Sequence, residues 1–93
     1  MGNPITYNVD EKRFEQVHGG EVVYANVREL DGVLYIDYVF APPVLRGTGA
    51  AGCLLEALMH KIRADGLKAK PICGYAAKWL RRHSEFHDIL ISD

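Results

Sequence analysis

The strongest constraint on the fold of this chain is an unbroken series of signals between residues 32 and 73: an apolar run, a turn rich in proline and glycine, an amphipathic helix and a second apolar run. Gly32 to Phe40 reads as a buried strand, and Ala51, Leu54, Leu55, Leu58 and Ile62 recur at helical spacing. Ala64-Asp65-Gly66-Leu67 supplies a glycine stop, and Ala69 to Cys73 reads as a short strand before Gly74. A strand, a helix and a strand in that order form a right-handed crossover, which makes the two strands parallel and leaves room for them to be adjacent.

Upstream, Ile5 to Val9, Arg13 to Val17 and Val22 to Arg28 are strand-like, with turn signals at His18-Gly19-Gly20-Glu21 and Leu30-Asp31-Gly32-Val33. That half predicts an antiparallel meander. Downstream, Tyr75 to His83 reads as a second, shorter helix. The expected fold class is therefore α/β of the α+β kind: a mixed, mostly antiparallel sheet with one central strand-helix-strand crossover.

A chain of 93 residues has room for one hydrophobic core, so residues 1–93 are expected to form a single domain. A net charge of −1 argues against a sequence-independent nucleic-acid binder, and Lys78, Arg81, Arg82 and His83 read as the solvated face of a short helix. No apolar run is long enough to span a bilayer and no signal peptide is recognisable, which predicts a cytoplasmic protein without a membrane partner. Cys53 and Cys73 make no metal-ligand spacing, so no metal is expected. The helical periodicity puts Cys53 with Glu56 and His60, away from the apolar stripe. Cys73 falls where the last strand ends.

The turn itself, Pro42-Pro43-Val44-Leu45-Arg46-Gly47-Thr48-Gly49-Ala50-Ala51-Gly52, puts an arginine and spaced glycines at the mouth of the long helix. A helix start carries N–H groups without intrahelical partners and a partial positive charge, so it attracts an anion that can come close. No lysine follows the glycines, as a P-loop would require. Gly47-Thr48-Gly49-Ala50-Ala51-Gly52 does match the letters of a dinucleotide-binding turn, but Lys68 to Pro71 stand where that fold places its acidic residue. A glycine-rich turn without a ligand is the plainer alternative. If a ligand sits beyond the carboxyl ends of the parallel strands, Phe40, Arg46, Gly49 and Cys73 converge on it.

On these residues a resemblance can be stated. Arg46-Gly47-Thr48-Gly49-Ala50-Ala51 fits the pattern Gln/Arg-x-x-Gly-x-Gly/Ala of the GNAT N-acetyltransferase superfamily. The chain resembles that superfamily's short stand-alone proteins in Ala41-Pro42-Pro43-Val44-Leu45, in Gly66 to Cys73, and in Arg82-His83-Ser84-Glu85-Phe86. The resemblance covers nearly the whole chain and implies a minimal GNAT fold that binds acetyl-coenzyme A as cosubstrate. It implies that Arg46 and the N–H groups of Gly47, Thr48, Gly49, Ala50 and Ala51 hold the pyrophosphate, and that backbone groups of Tyr38, Val39, Phe40 and Ala41 hold the pantetheine arm between two splayed strands.

The implied reaction is acetyl transfer to an unidentified amine, carried by a small molecule or a protein, by a monomer or weak dimer. Cys73 is the leading catalytic candidate because similar short proteins have cysteine at the matching position. Tyr38 stands where that group often has a histidine, and Tyr75 is placed to protonate the leaving thiolate. A phenol is a poor base near neutral pH, which leaves the general base open; His83 is the alternative, with packing or capping near the second helix as its other role. A non-catalytic acyl-coenzyme A binding or sensing module is the contrasting reading.

Overall fold

A computed structural model describes residues 3–91. Five strands form one sheet in sequential order, with β1 at Ile5–Asn8, β2 at Arg13–His18, β3 at Glu21–Leu30, β4 at Val33–Phe40 and β5 at Lys68–Pro71. The long helix α1 (Ala50–Ala64) crosses between β4 and β5, and α2 (Gly74–Arg81) follows β5. All neighbouring strands are antiparallel except β4 and β5, which are parallel and adjacent as the crossover requires.

Burial follows the two periodicities. Val23, Ala25 and Val27 of β3 and Leu34 and Ile36 of β4 alternate toward α1, which returns Leu54, Leu55, Leu58, Met59 and Ile62. The α1 stripe is the one its spacing predicts, with Ala50 and Met59 added and Ala51 only half-buried. Helix α2 leans on α1 where Trp79 meets Gly52, in the same layer, and among the described residues the opposite face of the sheet carries no helix. Beyond β5, Ile91 donates its N–H to the Ala69 carbonyl at 2.9 Å and shields that edge. Among the described residues no helix is long and apolar enough to cross a membrane.

Two boundaries differ from those the sequence predicts. Strand β5 stops at Pro71 rather than at Cys73, because the Ile72 and Cys73 N–H groups both bond the Ile36 carbonyl and the pairing advances no further along β4. Helix α2 starts at Gly74 and stops at Arg81, short of His83. The His83 ring instead stacks on Trp79, with centroids 3.7 Å apart, and its Nδ1 lies 2.6 Å from the Trp79 carbonyl oxygen. The packing and capping role therefore describes His83, while Arg81 and Arg82 are exposed.

The two helices meet at Gly52, where an added Cβ would sit 2.8 Å from Trp79 Nε1. Trp79 is held in turn by the His83 stack and by Phe86, at 6.0 Å between centroids. Alanine at an exposed helical position would gain about 1 kcal/mol over glycine. Here overpacking, at about 1–3 kcal/mol, outweighs that gain. Gly52→Ala is expected to lower the urea midpoint and shift the emission of Trp79, the one tryptophan in the chain; a raised midpoint would show that the helices are not in contact there.

Candidate functional site

Parallel pairing between β4 and β5 runs from Val33 with Lys68 to Ile36 with Pro71. The Ile36 carbonyl then accepts the N–H groups of both Ile72, at 2.9 Å, and Cys73, at 3.0 Å, and pairing ends. Strand β4 continues to Phe40 beside β3 only. At the same point the β3–β4 register slips: Val27 faces Ile36, whereas Asn26 faces Tyr38, which leaves Asp37 as the extra residue of a bulge. The bulge reverses the alternation. Val39 and Ala41 pack toward the core, while Tyr38 and Phe40 turn to the open face against Tyr24.

The result is a fork with its apex at Ile36 and Pro71 and its mouth at the start of α1. Pro43 to Leu45 make one 3-10 turn, and the Arg46 N–H then closes on the Pro43 carbonyl at 3.2 Å. Gly49 precedes the helix with φ of 88°, a left-handed value that disfavours side chains. Gly49 offers no capping side chain, and only the Ala50 N–H reaches a hydroxyl, Thr48 Oγ1 at 3.3 Å. The first intrahelical acceptor, the Gly49 carbonyl, is taken by Cys53, so the Ala51 and Gly52 N–H groups lie in the turn before helical bonding begins. Arg46 uses Nε to hold the Ala41 carbonyl at 2.9 Å, its guanidinium 5.8 Å from the centre of the Phe40 ring, and the side chain is exposed.

These segments enclose a cleft of about 330 Å³ lined by Tyr38, Val39, Phe40, Ala41, Arg46, Gly49, Ala50, Ala51 and Tyr75, together with Leu45. Of the residues expected at the site from sequence, Gly47, Thr48 and Cys73 do not line it. Gly47 and Thr48 form the outer curve of the loop, and Thr48 faces a second hollow with His18, Val44 and Cys53. Cys53 is thus half-buried beside the β2–β3 turn, while Glu56 and His60 on its side of the helix are exposed. Cys73 sits at the apex, half-buried against the core, immediately before α2. A separate cavity of about 530 Å³ lies under the other end of α1 and contains none of the expected residues.

Tyr75 links Cys73 to the cleft. Burial, and secondarily the charge of a Cys73 thiolate, push the Tyr75 phenol above its ordinary value, so it remains protonated at neutral pH. Asp37, which sequence reading passed over, is bound by Arg28 through two bonds, Nε to Oδ2 at 2.6 Å and Nη2 to Oδ1 at 2.9 Å. That hydrogen-bonded pairing holds the Asp37 carboxyl below the usual range. A carboxylate so engaged is a weak base. Its one sequence signal was a lone charge in the apolar run from Val33 to Phe40.

Residues 6–89 match the family model for the GCN5-related N-acetyl-transferases. None of the curated proteins compared matches the chain. Among solved structures, the chain is similar to a GCN5-like N-acetyltransferase candidate from Staphylococcus aureus, determined in solution by NMR. The TM-score is 0.70 at 20% identity, over 99% of this chain and 91% of that one, a likeness of fold.

The bulge pair gives a test with a defined sign. The Asp37 carboxyl titrates lower in the folded chain than in the unfolded one, so its contribution is complete above the ordinary carboxylate range and is lost as pH falls through the folded value. Asp37→Asn is expected to lower the urea midpoint at neutral pH, and the gap from the parent protein should close in acid below that range. A gap independent of pH would mean that the ion pair does not stabilise the bulge.

Proposed function

Because this chain belongs to the GCN5-related N-acetyltransferase family, we propose that it is a single coenzyme-binding domain that moves an acetyl group from acetyl-coenzyme A to an amine. One observation carries the reading: the unpaired half of β4, the Arg46 loop and the start of α1 line one cleft. Its mouth suits an anion and its interior suits an extended arm.

The pyrophosphate would lie against Arg46 and the N–H groups from Gly49 to Ala51, where the helix start favours negative charge and Gly49 permits close approach, while Gly47 and Thr48, expected there from sequence, stand on the outer curve with the Thr48 N–H given to the Leu45 carbonyl. The pantetheine arm would run inward beside Tyr38 to Ala41, using strand hydrogen-bonding groups that β5 does not reach. Its sulfur would then point to the apex, toward Tyr75 and Cys73. In direct transfer, the amine nitrogen attacks the thioester carbonyl carbon, the carbon–sulfur bond breaks, and the Tyr75 hydroxyl protonates the departing sulfur. The nitrogen gives up its proton to water, which restores Tyr75. What supports this role is position, since Tyr75 lines the cleft two residues after Cys73, and a phenol holds its proton at neutral pH.

Cys73 offers a covalent alternative, in which Sγ takes the acetyl group before the amine does. Its place behind the cleft lining favours direct transfer. The same observation keeps the non-catalytic acyl-coenzyme A module as the second reading. Labelled acetyl-coenzyme A separates the three: amine turnover without acetyl-Cys73 is direct transfer, acetyl-Cys73 that forms and decays at the turnover rate is the covalent route, and tight binding with neither is the module.

Two variants test the assignment. Arg46→Ala removes a charge-assisted contact of about 1.5–3 kcal/mol and is expected to weaken coenzyme A binding roughly ten- to a hundredfold by calorimetry, with the thermal midpoint nearly unchanged. Unaltered affinity would remove the loop from the coenzyme site. Tyr75→Phe should lower kcat on the order of a hundredfold while leaving coenzyme affinity intact, whereas unchanged kcat would assign the proton to solvent.

A further inference from the structure

Helix α2 brings unengaged positive charge to the side of the cleft. Tyr75 lines the cleft, and Lys78 and Arg82 follow it at i+3 and i+7 on the same stripe, Arg82 keeping helical geometry at the C-cap. One residue after Lys78, Trp79 meets Gly52 in the first turn of α1, so the stripe passes the helix start against which the pyrophosphate is proposed to lie. Helical side chains lean toward the N-terminus of their own helix, which directs Lys78 back over Tyr75 and Arg82 back over Lys78.

Neither cation has a partner inside the fold. Arg13, Arg28, Lys61 and Arg63 each hold a carboxylate, whereas among the described residues Lys78 and Arg82 hold none, and both are exposed. Helix α2 has no carboxylate of its own. Glu56, one turn past Gly52 on α1, lies 4.0 Å from His60; Asp88 is bound by Arg63; and Glu85 makes no ion pair with either cation. The other side of the loop differs in charge. The hollow beside Thr48 and Cys53 is lined by Glu21 and by no lysine or arginine, and its His18 Nε2 lies 2.6 Å from Gln16 Oε1. An anionic group that extends beyond the α1 start therefore meets cations along α2 and a carboxylate on the opposite side.

We propose that Lys78 and Arg82 form a subsite for the 3′-phosphate of coenzyme A, so that the domain selects the 3′-phosphorylated coenzyme over dephospho-coenzyme A. The inference rests on the coenzyme-binding reading above. Coenzyme A carries two anionic groups one sugar apart, the pyrophosphate and the ribose 3′-phosphate. With the first held at Arg46 and the α1 start, the second lies between that start and the α2 stripe, where two long side chains close on it. A phosphate monoester carries about −1.5 to −2 charge at neutral pH, and its oxygens accept charge-assisted hydrogen bonds from both lysine and arginine.

Calorimetry with coenzyme A and dephospho-coenzyme A at one fixed ionic strength tests the subsite. The parent protein is expected to bind coenzyme A at least about tenfold more tightly. The double variant Lys78→Ala/Arg82→Ala should bring that ratio close to one by weakening coenzyme A alone, with the affinity for dephospho-coenzyme A kept. Arg81, which lies about a quarter-turn off the stripe, is the control, and Arg81→Ala should keep the parent ratio. Equal affinities in the parent protein, a ratio retained in the double variant, or the same collapse in Arg81→Ala would each overturn the proposal. Should the double variant fail to fold, Lys78→Ala and Arg82→Ala singly make the comparison, and each must lower the ratio. Binding of neither coenzyme is a separate outcome, which removes the transferase reading and this inference with it; equal binding of both removes the subsite alone.

Discussion

The structure turns on one carbonyl that accepts two hydrogen bonds. The β4–β5 ladder advances regularly from Lys68 on Gly32 to Ile72 on Ile36, and there the Cys73 N–H returns to the same Ile36 carbonyl instead of moving on along β4. Pairing stops at that point. The chain turns into α2 while β4 continues to Phe40 beside β3 alone, and the two diverge. The cleft is the space left by the pairing that stops, so its inner wall is bare strand backbone and its end is fixed by Cys73 and Tyr75 at the first residues after the break.

The bulge at Asp37 acts with that stop in pairing. Without it, Tyr38 and Phe40 would follow Leu34 and Ile36 into the core, and two large rings would have to fit beneath α1. The extra residue returns Val39 and Ala41 to the core and turns the aromatic pair outward. A bulge leaves one residue outside the regular pairing. Here that residue is charged, and Arg28 from the neighbouring strand holds it on both carboxylate oxygens. Losing the pair would loosen the place where the strand changes phase, which couples a surface ion pair to the lining of the cleft.

How much of this the sequence disclosed depends on how local the cause was. The α1 stripe, the Asp31-Gly32 hairpin and the crossover each rest on a repeat or a turn signal within a few residues, and all three appear as read. The turn from Arg46 to Ala51 was likewise legible, because glycine spacing reports backbone geometry directly. The bulge was not. Val33 to Phe40 is apolar on both phases except at Asp37, so no alternation marks where the strand reverses its faces. The Gly52 contact with Trp79 was hidden for a different reason: it joins residues far apart in sequence, and nothing in either segment names its partner. Cys73 lay between these cases. Its position at the end of the last strand segment could be read, but whether its side chain entered the cleft depended on the turn into α2.

The layering gives the proposed chemistry a direction. Helices α1 and α2 lie on one face, and the cleft wall alternates Val39 and Ala41 toward that layer with Tyr38 and Phe40 toward the open side. In the proposed reading the coenzyme is gripped at the helix start by backbone donors, which bind charge without distinguishing what the acyl group will meet. The amine then has to meet the thioester at the fork itself, where β4 and β5 part and only Tyr75 and Cys73 follow the break.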